Sequence, residues 1–281
     1  MVKSTGELLK EHDFLIKKKF GQNFLTDNNV IAKIVAGAGV TPAHTVIEVG
    51  PGLGALTHLL SQQTKQVICI EIDTTLIPIL ESHGFSNVSI VEGDVLKVDI
   101  PALIGDNSPV AVVANLPYYI STPIITKLLA LDSLIDSITI MIQKEVADRL
   151  SAQPGTKAYG SLTVFVNYHA DVSHVITVPP GCFIPRPGVD SAVIRLNINK
   201  KQKPTDEEFF YKLVRQSFAV RRKTLLNSLT ITGSELELSK DQIRQGLATL
   251  GLDENIRGEV LTLPDFIALS DALCEVKKQN A

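Results

Sequence analysis

The stretch "TVIEVGPGLGALT" (45–57) decides how this chain folds. It begins as a short β-branched run, passes through glycines at 50, 52 and 54, and ends on the start of a helical pattern. Strand, glycine turn and helix in that order open a βαβ unit, and the bare backbone of the turn lets a ligand approach closely. The spacing is not that of a dinucleotide site. After Gly50–Pro51–Gly52–Leu53–Gly54 the helix starts "ALTHLL", with no further glycine at the dinucleotide position and no Lys–Ser pair of a P-loop. Glu48, just before the turn, suits a cationic or amino-bearing ligand better than a pyrophosphate. Taken alone, the turn is open to three readings: purely structural, a nucleoside cofactor site, or a phosphate site.

Working outward, "QVICIEI" (66–72), "NVSIVE" (87–92), "VAVVA" (110–114) and "SITIMIQ" (137–143) read as further strands. Helical spacing occupies the segments near 54–63, 73–83 and 121–132. Continuous apolar strands alternating with helices predict an α/β fold, a doubly wound Rossmann-like sheet. "DVSHVITVP" (171–179) and "SAVIRLNI" (191–198) predict two more strands forming a hairpin at the sheet edge. After residue 199 the strand signal stops, and "KKQKPTDEE" (200–208) reads as a linker. Capping-box patterns at Thr205/Glu208 and Ser239/Gln242, a stop at Gly251 and a helix from near Thr262 predict a small all-helical unit. The expected division is residues 1–199 for the sheet domain and 200–281 for a small helical domain.

With 44% hydrophobic and 20% charged residues, the 281-residue chain has the composition of an ordinary globular protein. No segment reads as membrane-spanning, and "MVKSTGELLKEHDF" (1–14) lacks the apolar core of a secretory signal. The cysteines at 69, 182 and 274 lie far apart without metal-ligand spacing, so no metal site is expected. The cytoplasm is the expected location, and a monomer the expected state. Net charge is −3, yet residues 200–223 hold eight bases against three acids, and "IKKKFGQNF" (16–24) forms a second basic cluster. Two patches on an acidic background suit a localised polyanion contact, or else solvated helix faces.

The second predicted strand reaches Glu71 about 20 residues beyond the glycines, where a carboxylate can accept both hydroxyls of a ribose. Asp94, in "EGDVL" (92–96), can accept from an adenine amino group or cap the next turn. Acids at three successive strand ends, Glu48, Glu71 and Asp94, point to S-adenosylmethionine rather than NAD, because the sulfonium ligand is cationic and has no phosphates. The fourth strand leaves through "NLPYYIST" (115–122). The Asn115 side-chain oxygen and the Leu116 carbonyl offer two acceptors to an exocyclic amine, and Pro117 restricts Leu116 to extended backbone. Tyr118 offers a flat face for a base. In "CFIPRPGVDSAVIRL" (182–196), Phe183 can cover the opposite face of an extruded base, or simply anchor a Pro-rich connection. Tyr119 is left without a role.

These motifs, with "KKKFGQNFL" (17–25), "EID" (71–73), "QKEVADRL" (143–150) and "SFAVRRKTLLNSL" (217–229), closely resemble the ribosomal RNA adenine N6,N6-dimethyltransferase family, and within it the bacterial small-subunit branch. The resemblance spans nearly the whole chain. It implies transfer of four methyl groups from S-adenosylmethionine to two adjacent adenines in a 3′-terminal hairpin loop of 16S rRNA, in the 30S ribosomal subunit. By that pattern the cofactor contacts fall on Asn23, Leu25, Gly50, Glu71, Asp94 and Asn115, and the target adenine on Asn115, Leu116, Tyr118 and Phe183. Lys17, Lys18, Lys19, Arg221, Arg222 and Lys223 would meet RNA phosphates. The alternatives are the 23S rRNA enzyme of macrolide resistance, which typically carries "NIPY", and a non-enzymatic assembly factor. An NAD dehydrogenase is disfavoured by the missing phosphate glycine.

Overall fold

The structure is a computed structural model that describes residues 7, 17, 20–199, 203–220, 222–231 and 233–279. It divides into two units, residues 1–147 with 171–198 and residues 148–170 with 199–281.

In the first unit a two-residue strand β1 (Phe24–Leu25) leads to helix α1 (Asn28–Ala38). There follow β2 (Thr45–Val49), α2 (Ala55–Gln63), β3 (Gln66–Glu71), α3 (Ile77–Ser82), β4 (Val88–Glu92), α4 (Ile100–Ile104), β5 (Val110–Asn115), α5 (Ser121–Leu129) and β6 (Ser137–Gln143). Later in the chain come β7 (Ala170–Val178), β8 (Phe183–Ile184) and β9 (Ser191–Ile198). The seven-stranded sheet runs β4-β3-β2-β5-β6-β9-β7. Its first five strands are parallel, and β9 adds antiparallel to β6 in the register Ser137↔Asn197. The central strands are largely apolar, as strands of a parallel sheet covered by helices are, and Ile47, Val112, Ile138 and Ile140 are fully buried. The expected edge pair holds: β9 lies between β6 and the edge strand β7. The order reverses between β2 and β5, and beyond the carboxyl ends of those strands such sheets leave a crevice.

The sequence gives no hint of β1 and β8, which pair antiparallel with Phe24 opposite Ile184 and Leu25 opposite Phe183. Two residues are too few to show a period, and their partners lie far apart in sequence.

The second unit collects α7 (Ser161–His169), α8 (Glu207–Phe218), α9 (Leu225–Leu229), α10 (Lys240–Thr249) and α11 (Leu263–Gln279). A short helix, α6 (Lys144–Leu150), spans the crossing from the first unit. The chain returns to the second unit at residue 199, and residues 148–170, placed by the sequence reading with the sheet, also belong to it. Tyr159, Val164 and Tyr168 join the apolar cluster of Phe210, Leu213, Phe266 and Leu273, so this segment is held by the helical core. Among the caps, Ser239 and Gln242 form the expected box. Thr205 does not cap α8, because Asp206 takes that place and accepts from the Phe209 N–H at 2.9 Å. Aspartate is the stronger cap at that position.

Candidate active site

A cleft of about 790 Å³, part of it open to solvent, lies at the carboxyl ends of β2, β3 and β5. Its walls are the segment 20–25, the glycine turn, Glu48, Glu71 with Ile72, and Asn115 to Pro117. Among the described residues that line it there is no lysine or arginine, while two carboxylates do. Gly50, Gly52 and Gly54 all take positive φ. At Gly52 (φ 60°) a Cβ would also stand 3.2 Å from the Phe24 ring, so a side chain there is both strained and obstructed.

Glu71 is 4% exposed, and each of its oxygens holds one backbone amide: Gly52 N–H at 3.1 Å and Asp73 N–H at 2.8 Å. Burial pushes its carboxyl above the usual range, and those amides oppose the rise. Glu48 is 1% exposed, and burial raises it to about 7, with Thr57 and Cys69 beside it. The folded carboxyl therefore keeps its proton where the unfolded one, near 4.5, has lost it. The unfolded state binds fewer protons in that window, so the ligand-free protein is expected to lose about 3 kcal/mol of stability as pH rises from 4.5 to 7. Melting temperatures of Glu48→Gln across that range should lack this component. A fall as steep as in the parent protein would contradict the assignment.

Asn115, at the end of β5, is half-buried, and its Nδ2 donates to the Asn23 carbonyl at 2.9 Å. With its N–H₂ end so tied, the side chain presents Oδ1 as a free acceptor. The Leu116 N–H donates to the Met141 carbonyl at 3.1 Å, and no hydrogen bond from a described residue ends on the Leu116 carbonyl. Pro117 stands at φ −59°, ψ 130° and directs the chain into a 3₁₀ turn, Tyr118–Ile120. The Tyr118 hydroxyl is tied to that of Ser191 on β9, which fixes the ring, and burial raises its pKa above the usual value. Asn23, Leu25 and Gly50 line the cleft.

Three expected residues are placed otherwise. Phe183 is 2% exposed in the apolar cluster around Leu25 and Ile34, so its ring meets a base only if the 182–190 loop parts from β1. Asp94 lies outside the cleft lining, and its Oδ1 caps the following turn at the Leu96 N–H, 2.9 Å away. Lys17 is spoken for: its ammonium sits 2.7 Å from the buried carboxylate of Asp73. Lys18, Lys19 and Arg221 lie outside the described residues. Arg222 and Lys223 are exposed and make no ion pair with a described residue, whereas Lys212 and Arg215 pair with Glu208 and Glu235.

Sequence reasoning missed Asp73, Gln22 and Ile72. The second acid of "EID" was the one local signal for Asp73, and nothing local names partners more than 50 residues away. Ile72, 45% exposed, is an apolar wall beside Glu71 and reads from sequence as the end of a strand.

A doubly wound sheet, a cleft whose described lining holds carboxylates and no lysine or arginine, and two open acceptors at the switch point have the form of a methyltransferase with a nucleoside sulfonium cofactor. A family model described as "Ribosomal RNA adenine dimethylase" matches residues 13–259, and the chain belongs to that family. It is 48% identical to the "Ribosomal RNA small subunit methyltransferase A" of Geobacillus sp., covering 97% of this chain and 96% of that one. The protein of the same name from Lachnoclostridium phytofermentans is 46% identical, covering 98% of each. Among solved structures, a dimethyladenosine transferase from Plasmodium falciparum superposes with a TM-score of 0.79 at 28% identity, covering 92% of this chain and 98% of that one. The 23S rRNA methyltransferase ErmE superposes at 0.68 and 27% identity, covering 90% and 100%. The chain is thus an S-adenosylmethionine-dependent adenine dimethyltransferase acting on ribosomal RNA.

Proposed function

We propose that the protein methylates N6 of two adjacent adenines in the 3′-terminal hairpin loop of 16S rRNA, within the 30S subunit, giving N6,N6-dimethyladenosines. The observation that carries this reading is the pair of acceptors, Asn115 Oδ1 and the Leu116 carbonyl, at the switch point of a cleft whose described lining holds two carboxylates and no lysine or arginine. The small-subunit names of relatives at 46% and 48% identity support the choice of RNA. We take the protein to act in the cytoplasm as a monomer. Among the described residues no helix is long and apolar enough to cross a membrane.

The bound cofactor supplies an electrophilic methyl on a positively charged sulfur. Glu71 accepts from the ribose hydroxyls with the lone pairs its two amide donors leave unused. Glu48 would face the cationic end, which favours loss of its proton, and Asp94, outside the cleft lining, would meet the adenine amino group only through the oxygen that does not cap the Leu96 turn. An aromatic N6 amine is a poor nucleophile, since its lone pair is delocalised into the ring. Asn115 and Leu116 each accept one of its N–H bonds and favour a more tetrahedral nitrogen aligned for attack. No strong base is needed, because the proton leaves after the nitrogen has become cationic. Tyr118 stacks on the base, worth roughly 1–3 kcal/mol, and Phe183 covers the other face once its loop opens.

Arg222 and Lys223, with Arg221, Lys18 and Lys19, meet RNA phosphates. We leave Lys17 out of that set because its ammonium is paired with Asp73. Neutralising Arg222 and Lys223 together should weaken 30S binding and make the slope of log K against log salt shallower by about 1–2. An unchanged slope would remove the patch from the RNA surface. To test the substrate, 30S particles and protein-free 23S rRNA are incubated with the protein and labelled cofactor. Label in 16S rRNA supports the reading, and label confined to 23S rRNA assigns the chain to the other branch.

A further inference from the structure

We propose that Asp73 is a positioning residue for methyl transfer: it holds Lys17 and fastens a strap of residues 20–25 along the cleft, and through it fixes the amide of Asn115. This rests on the role given to Asn115 above. Asp73 is 1% exposed, and its Oδ1 accepts from Lys17 Nζ at 2.7 Å and Thr75 Oγ1 at 2.7 Å. Its Oδ2 accepts from Gln22 Nε2 at 2.8 Å. The Gln22 oxygen in turn accepts the Lys17 N–H at 2.9 Å, so the Gln22 side chain is held at both ends. The next residue, Asn23, gives its carbonyl to Asn115.

The far end of the strap is fastened separately, by the pairing of Phe24 and Leu25 with β8 and by the Thr26 N–H on the Cys182 carbonyl at 2.8 Å. Between the two fastenings, Gly21 takes φ +60°, and the Tyr119 ring stands 3.0 Å from where a Cβ would be. Tyr119, 60% exposed, is thus the seat of the strap, which gives it a place in the site.

The consequence is chemical. A primary amide has a donor end and an acceptor end, and the N6 amine needs the acceptor. With the Asn23 carbonyl in place, the N–H₂ end of Asn115 is held on the strap and the oxygen is left for the substrate. Without it the amide turns freely, and one of its two orientations sets N–H against N–H. A buried carboxylate held by a lysine from a distant segment also resists loss of either partner, since the remaining one would be left uncompensated.

The test reads the Asn115 side-chain amide by NMR in the ligand-free protein, its signals identified by their loss in Asn115→Ala. In the parent protein the proton donated to Asn23 should be shifted and protected. In Asp73→Ala the pair should move to solvent-like positions and exchange at least tenfold faster. In the same variant kcat should fall tenfold or more with little change in KM for RNA. Lys17→Met leaves the Thr75 bonds of Asp73 intact and should shift the signals in the same direction, and Lys17→Arg should restore them. If Asp73→Ala does not fold, Lys17→Met decides. Folded variants whose Asn115 amide signals match the parent would overturn the proposal, whatever their activity. Because this signal needs no turnover, an active Asn115→Ala enzyme would count against the role of Asn115 without affecting the strap measurement.

Discussion

Replacing Asn115 by alanine is expected to lower kcat by about 10²- to 10³-fold while leaving 30S affinity nearly unchanged. The magnitude is that of deleting one fixed hydrogen-bonding group aimed at developing charge. It falls on kcat because the acceptor acts as the N6 amine becomes nucleophilic, not when the RNA docks. The side chain is half-buried and anchored by one bond, to Asn23, so its loss should leave the fold intact. Single-turnover methylation with saturating RNA separates the two effects. Full residual rate would remove Asn115 from the amine clamp.

Glu71→Ala should have its large effect on the cofactor instead. The two oxygens of Glu71 hold the Gly52 and Asp73 amides, and so tie the glycine turn to the strand beside it. Removing them leaves the buried Asp73 amide unpaired, at about 1–3 kcal/mol, and the part-buried Gly52 amide at less, in addition to the bonds lost to the ribose. Calorimetry should show S-adenosylmethionine affinity falling about 100-fold or more. Glu71→Gln should fall nearly as far, because its N–H₂ end would face one of the two amides. An unchanged Kd in both variants would sever Glu71 from the cofactor.

Much of this molecule can be read from its sequence, for identifiable reasons. The inner parallel strands β2, β3, β5 and β6 are buried along nearly their whole length, so they appear as runs rich in β-branched residues, and "SITIMIQ" spans the same seven residues as β6. The glycines of 50–54 and the Pro-bounded turn after Asn115 are signalled by residues that dictate their own backbone angles. What escaped notice depends on partners distant in sequence. Leu25 and Phe183 meet in a two-residue pairing, and Lys17 meets Asp73 across 56 positions. Lys17 reads as a surface base for RNA because a lysine in a basic run carries no mark of the acid it will find. Tyr159 and Tyr168 fall in a stretch that precedes two sheet strands, yet their rings are in the helical core. An apolar residue declares that it will be buried and leaves open with which neighbours.

Primer extension across the 3′-terminal hairpin of 16S rRNA tests the central claim most directly. The template is 30S subunits lacking N6 methylation there, incubated with this protein and S-adenosylmethionine. Two dimethylated adenines block the base-pairing edge, so strong stops at two adjacent positions are expected, dependent on cofactor and absent with Asn115→Ala. Uninterrupted extension through the hairpin with active, cofactor-binding protein would contradict the account.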